Sequence, residues 1–264
     1  MISFGMPTLM EITSIEESVA LCAKAGLFFV ELNTNFPLHQ PHLLDEGKLN
    51  ELACQYEVGY TIHLNDEMAV AEFNPAVARG YREAVAEAIM LAKKIGAKKL
   101  NMHLSDGAKY TMPNQIVYFY GAYLQEYLEQ TKAFRDMCQQ EIGDSGILIC
   151  MENTGGFRDY QREALEVLLE SPVFGLTMDI GHNYCAGGVD EAWILEHSDR
   201  LHHMHIHDAK NRKNDHLALG DGELDLAKYL SLGQKRDCTA VLEIKTVEGF
   251  LRGAQWIKDA GYLR

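Results

Sequence analysis

Short apolar runs rich in β-branched residues recur along the chain between longer amphipathic segments. Eight can be counted: ISFGM (2–6), FFVEL (28–32), GYTIHL (59–64), KKLNMHL (98–104), ILICMEN (147–153), FGLTMDIG (174–181), LHHMHIHD (201–208) and AVLEIK (240–245). Most are near-continuous in apolar residues rather than alternating, which is the pattern of strands covered on both faces. The stretches between them carry helical spacing, clearest over 76–95, 116–141, 161–170 and 247–259. Ser14 and Glu17 have the spacing of a capping box, and Gly26 stands where a helix-terminating glycine is expected.

Alternating strands and helices predict a parallel sheet, and eight units within 264 residues favour closure into one (β/α)8 barrel, the TIM-barrel architecture, over an open doubly wound sheet. The first strand-to-helix turn lacks the GxGxxG fingerprint of the dinucleotide-binding open sheet. The whole chain, 1–264, reads as a single domain, with 47% hydrophobic residues to fill its core and no Pro/Gly/Ser-rich linker. The N-terminal MISFGMPTLME has no basic segment followed by an apolar core, and no stretch reaches the roughly 18 apolar residues of a membrane helix. A soluble, cytoplasmic protein is expected. The six cysteines are scattered singly with no CxxC pair, as reduced buried thiols would be.

Side-chain parity along the strands brings in the chemistry. In the seventh run His203, His205 and His207 share one face and Met204 and Ile206 the other, so the imidazoles are expected inside the barrel. His63, His103, Glu152, Asp179 and Glu243 each fall at or near a strand end, followed by loop-like sequence, and Glu31 closes the second strand in the same way. In this architecture such ends surround one mouth. One histidine at a strand end is more often a hydrogen-bonded core or rim residue than a ligand, but five strands ending in His, Asp or Glu predict a shared divalent metal site. Imidazole with carboxylate suits Zn2+ or Mn2+ first, with Co2+, Fe2+ or Mg2+ as further options. The cation would also let Glu152, Asp179 and Glu243 ionise side by side. His203 and its neighbour His202 read as structural, and His39, His42 and His197 as surface or loop residues.

The 38 acids against 24 bases, a net charge of −14, argue against a broad nucleic-acid-binding surface and leave room only for a local basic groove. His182 follows Asp179 by three residues and either curls back over the mouth or caps the next helix. The DHLALGDGELD segment (215–225), with His216 near its head, is a glycine-punctuated loop that could cradle a phosphate through backbone N–H groups, although Asp221 and Glu223 count against that use. Lys245 shares the inward parity of Glu243 and is a candidate for a substrate oxygen or a neighbouring carboxylate. Arg158 and Arg212 are further candidates for substrate contacts.

The pieces MEN (151–153), MDIGH (178–182), HIHD (205–208), H…LGDGELD (216–225) and LEIK (242–245) resemble the xylose-isomerase-like barrel superfamily, over essentially the whole chain. That superfamily includes sugar and sugar-phosphate isomerases and epimerases, inositol-catabolic enzymes and type IV apurinic endonucleases. The resemblance implies a metal held by Glu152, Asp179, His205 and Glu243, with Glu152 and Glu243 also acting as acid and base. It implies an isomerase or epimerase of a small sugar, sugar phosphate or polyol, working by proton transfer alpha to a carbonyl. The alternative is a zinc-dependent phosphodiesterase or apurinic endonuclease. On that branch His63, His103, His182 and His216 would bind further metal ions, although Asn214 stands where one third-metal carboxylate is expected. The loop after the second strand, NTNFPLHQPHLLDEGK, has a single lysine and lacks the basic contacts a DNA-binding loop needs. A small carbohydrate is the expected partner, and a homo-oligomer is compatible with the fold.

Overall fold

In the computed structural model, which describes residues 2–263, eight parallel strands close into a barrel. They are β1 (Ser3–Pro7), β2 (Phe29–Asn33), β3 (Gly59–His63), β4 (Lys99–His103), β5 (Leu148–Glu152), β6 (Phe174–Asp179), β7 (Leu201–Ile206) and β8 (Thr239–Leu242). Each coincides within a few residues with one of the eight apolar runs. Closure is made by β1 against β8, with Ser3 opposite Thr239 and Gly5 opposite Val241. Helices follow the strands, among them Ile15–Lys24, Pro75–Ile95, Leu124–Ile142, Asp159–Leu169 and Val247–Asp259. Ser14 Oγ accepts the Glu17 N–H at 3.2 Å to start the first helix, and Gly26 follows its end with φ +75°. No described helix is long and apolar enough to cross a membrane.

The main apolar core lies between strands and helices. Phe4, Met6, Leu32, Ile62, Phe174, Met178, Met204 and Ile206 are fully buried there, and Phe174 of β6 meets Phe134 of helix Leu124–Ile142 edge to face at 5.9 Å. Inside the barrel the alternation reverses polarity. The inward set includes Glu31, Thr61, Asn101, Thr177 and His203, all buried, where barrels of this class usually stack branched apolar side chains. These groups hydrogen-bond one another: Thr61 Oγ1 donates to Glu31 Oε2 at 3.0 Å, Thr177 Oγ1 to Asn101 Oδ1 at 2.5 Å, and Lys99 Nζ to Thr239 Oγ1 at 3.0 Å.

Three expectations are corrected. The segment 116–141 is not one helix: Ile116–Tyr118 pairs antiparallel with Lys109–Thr111 as a small ribbon, and the long helix begins at Leu124. Three consecutive β-branched or aromatic residues, Ile116, Val117 and Tyr118, favour extended backbone there. A second ribbon, 208–210 against 214–217, follows β7. His39 is not a surface residue but is buried, its ring stacked on Phe36 at 5.1 Å.

Close packing at the barrel interior explains one glycine. A Cβ on Gly5 would lie 2.3 Å from the Phe29 ring. Gly5→Ala is therefore expected to lower stability by about 1–3 kcal/mol through overpacking, read as a lower urea midpoint with unchanged slope.

Candidate metal centre

Strand register decides which side chains meet at the C-terminal mouth. His103 of β4 is opposite Glu152 of β5, and Asp179 of β6 is opposite His205 of β7. Glu243 follows β8, its N–H extending the ladder to Ile206 O at 3.0 Å. Glu152, Asp179, His205 and Glu243 are all buried and each offers a ligand atom within 4.8 Å of the others. His205 Nδ1 lies 3.3 Å from Glu152 Oε2, 3.2 Å from Glu243 Oε2 and 3.9 Å from Asp179 Oδ2. Atoms bound tetrahedrally at about 2.1 Å to one ion sit about 3.4 Å apart, so the spacing suits a shared cation. Glu152 Oε1, Glu243 Oε2 and both ring nitrogens of His205 are buried and have no hydrogen-bond partner. Such atoms are costly unless a cation completes them.

The electrostatics point the same way. Burial pushes the Glu152 and Glu243 carboxyls up, but the charge of His205 foremost holds both well below the usual carboxylate range. Asp179 is likewise lowered, by His207 and His182 against burial. Burial alone would depress His205, yet Glu152, Glu243 and Glu31 drive it well above its usual range. Carboxylates converging on one buried point favour positive charge there, which protonated histidines or a bound cation supply.

Each of the four is held from outside. Asn101 Nδ2 donates to Glu152 Oε2. His207 Nε2 lies 3.1 Å from both Asp179 oxygens, and the Asn153 side chain brackets the Asp179 backbone with two bonds of 2.9 Å. Lys245 Nζ pairs with Glu243 Oε1 at 2.6 Å, so of its two expected roles it takes the carboxylate partner. Glu31 Oε1 lies 3.0 Å from His205 Nε2. Glu31 is buried, and its two oxygens face His205, His203 and Thr61.

The other expected histidines also reach the mouth. His63 Nδ1 donates to Leu64 O at 2.7 Å, leaving Nε2 3.5 Å from Glu152 Oε2, and His103 Nε2 is 3.2 Å from the same oxygen. Asp66, a residue of the turn after β3 that strand parity does not single out, stands 3.6 Å from His63 and 3.7 Å from His103. Burial lowers the His63 pKa, but Glu152 and Glu31 carry it up to about 9. Of its two expected courses His182 takes the first: its Nδ1 returns over the mouth to within 3.3 Å of Glu152 Oε1 and Asp179 Oδ2, while the helix cap is Asp179, whose Oδ1 accepts the His182 N–H at 2.6 Å. Burial lowers its pKa, while Asp179 and Glu152 raise it to about 10. His216 Nδ1 sits 3.0 Å from Glu243 O, and burial with neighbouring His207 brings it down to about 4.

His207 groups with His182 and His216, but both its nitrogens are engaged. Nδ1 accepts the His216 N–H at 2.7 Å while Nε2 faces Asp179. It supports Asp179 instead of joining a three-histidine site, and Gly181 makes the room, since a Cβ there would lie 2.0 Å from the ring. Asn214 is exposed, and Asp215 Oδ1 stays 4.0 Å from His216 Nε2.

The glycine-punctuated loop is not a phosphate cradle. The N–H groups of Ala209, Gly220, Gly222 and Leu224 all donate to the buried Asp208 carboxylate, at 2.9–3.1 Å. The loop's anion is internal. Beside the mouth opens a cleft of about 530 Å³ whose walls include Asp66, His103, Asp106, Gly156, Arg158 and His182. Arg158 forks onto Asp106 at 3.1 and 3.0 Å and lies 3.8 Å over the Tyr118 ring, tying the ribbon 109–118 to the turn after β5.

Residues 19–264 match the family model described as xylose isomerase-like TIM barrel. Among solved structures, a D-tagatose 3-epimerase-like protein superposes with a TM-score of 0.81 at 22% identity, covering 98% of this chain and 96% of that one. The IOLI protein, solved with a zinc atom, gives 0.73 at 14% identity over 100% and 99% of the two chains. A family 2 AP endonuclease from Brucella melitensis gives 0.72 at 16% identity over 98% and 99%. Identities this low show a shared fold.

Asp208→Ala would strip four backbone donors of their acceptor. A loss of about 3 kcal/mol is expected, together with faster proteolysis within 208–225; unchanged cleavage there would contradict the cradle.

Proposed function

The chain belongs to the xylose isomerase-like TIM barrel family, and from that premise we propose that it is a divalent-metal-dependent isomerase or epimerase of a small sugar or polyol. The observation that carries this reading is the pair of buried glutamates, Glu152 and Glu243, at the ends of the strands flanking Asp179 and His205, each with one carboxylate oxygen at the mouth that has no hydrogen-bond partner. Such a pair suits proton transfer alpha to a carbonyl, where one carboxylate removes a proton and the other returns one. Glu152, Asp179, His205 and Glu243 would hold the cation, Zn2+ or Mn2+, which when bound supplies Lewis-acid polarisation of a carbonyl and hydroxyl pair. Lys245 fixes Glu243 Oε1 and so aims Oε2 inward. His182 at the rim and Arg158 across the cleft are placed to meet substrate oxygens. The D-tagatose 3-epimerase-like and zinc-bearing neighbours support this choice, and six free thiols agree with a cytoplasmic setting.

A second reading, a zinc-dependent apurinic endonuclease, is favoured by one observation: His63 and His103 flank both Glu152 and Asp66 as a further set of metal-type ligands. Against it stand the charge of −14 and the exposed Asn214 at the position of the expected carboxylate, with Asp215 Oδ1 4.0 Å from His216 Nε2.

With a panel of ketoses in D2O, the protein is expected to exchange the proton alpha to the carbonyl, seen by proton NMR. Glu152→Gln and Glu243→Gln should each slow that exchange at least about 100-fold; undiminished exchange in either would remove the proton-transfer role. Chelation should abolish exchange, and added Mn2+ or Zn2+ should restore it. Elemental analysis showing three ions per chain, with incision of an abasic-site duplex and no exchange, would favour the second reading.

A further inference from the structure

Below the mouth, Glu31 faces the Thr61 hydroxyl and two imidazoles. Its Oε1 is 3.0 Å from His205 Nε2, while Oε2 is 3.1 Å from His203 Nε2 and takes the Thr61 hydroxyl at 3.0 Å. Among the described residues its ion-pair partners are these two imidazoles, and no lysine or arginine pairs with it. A carboxylate this deeply buried is normally matched by a full positive charge. His203 is engaged on its far side as well: its Nδ1 contacts Thr239 Oγ1 at 2.5 Å, a hydroxyl that itself accepts from Lys99. With the Thr239 hydroxyl free to donate to Nδ1, the geometry has Nε2–H of His203 donating to Glu31. That leaves His205, and whatever His205 binds, to balance Glu31.

The geometry points to Glu31 as a positioning residue of the metal centre: it keeps the proton of His205 on Nε2, turns Nδ1 toward Glu152, Asp179 and Glu243, and through the ring strengthens the hold on the cation. A carboxylate behind a ligating histidine fixes its tautomer and raises its basicity. The chain Lys99, Thr239, His203, Glu31, His205 thus runs from the floor of the barrel to its mouth, and it explains why this interior is polar. The inference rests on the metal-centre reading above but requires no particular substrate.

The test compares the wild type with Glu31→Gln, which keeps the shape and removes the charge. Calorimetric titration with zinc chloride is expected to show affinity 10–100-fold weaker in the variant, with melting of the metal-free forms within a few degrees of each other. In the 15N-labelled, zinc-loaded wild type, His205 should show a proton on Nε2 and a metal-shifted Nδ1. Equal affinity in the two proteins, or a His205 proton on Nδ1, would overturn the role of Glu31 while leaving the metal centre standing. Absence of stoichiometric zinc binding by the wild type would instead remove the metal centre and this role with it. Should Glu31→Gln fail to fold, the wild-type nitrogen shifts alone decide.

Discussion

Everything at the mouth follows from the mutual repulsion of carboxylates in a space that water does not reach. Glu152, Asp179 and Glu243 converge from three strands, and none of them is more than a few per cent exposed. Left alone they would take up protons. They are held ionised by histidines on the same strands or the next ones, and the point between them is where a cation gains most. The barrel makes this arrangement cheap to hold, because each side chain is fixed by the register of a closed sheet and not by a loop. The cost appears lower down, in a polar interior that must bond every one of its groups.

Much of this was legible in the strands themselves. Period-two parity put Glu152, Asp179, His205 and Glu243 on the inner face, and strand length put them at one end; neither inference needs knowledge of the helices. His63, His103, His182 and His216 were legible for the same reason, since they end strands or begin the loops that follow. What was not legible depends on the third dimension. Asp66 looks like any turn residue until β3 and β4 bring His63 and His103 to it. The double engagement of His207 requires the ribbon after β7 to fold back, so parity alone could only say that the ring pointed inward. Glu31 sits on the inner face as its parity says, but only depth in the barrel separates a substrate contact from a support.

The glycines carry a similar lesson. In a sequence, LGDGELD suggests backbone amides offered to a ligand. The amides are indeed gathered, but the anion is Asp208, and Gly222 is required because a Cβ there would lie 2.1 Å from that carboxylate. The same residue types serve an internal partner as readily as an external one. Gly181 and Gly5 likewise make room for the rings of His207 and Phe29, which are not neighbours in the chain.

Asp208 has one more consequence. A segment that brings its own anion for its own amides draws its shape from within and needs no anion from the cleft. It behaves as a rigid jamb at one side of the opening, against which other loops can lengthen, shorten or change composition. Evolution of a new specificity on this scaffold can then proceed by rebuilding the opposite wall, from the ribbon at 109–118 to Arg158, with the cluster of carboxylates and histidines and its jamb carried along unchanged.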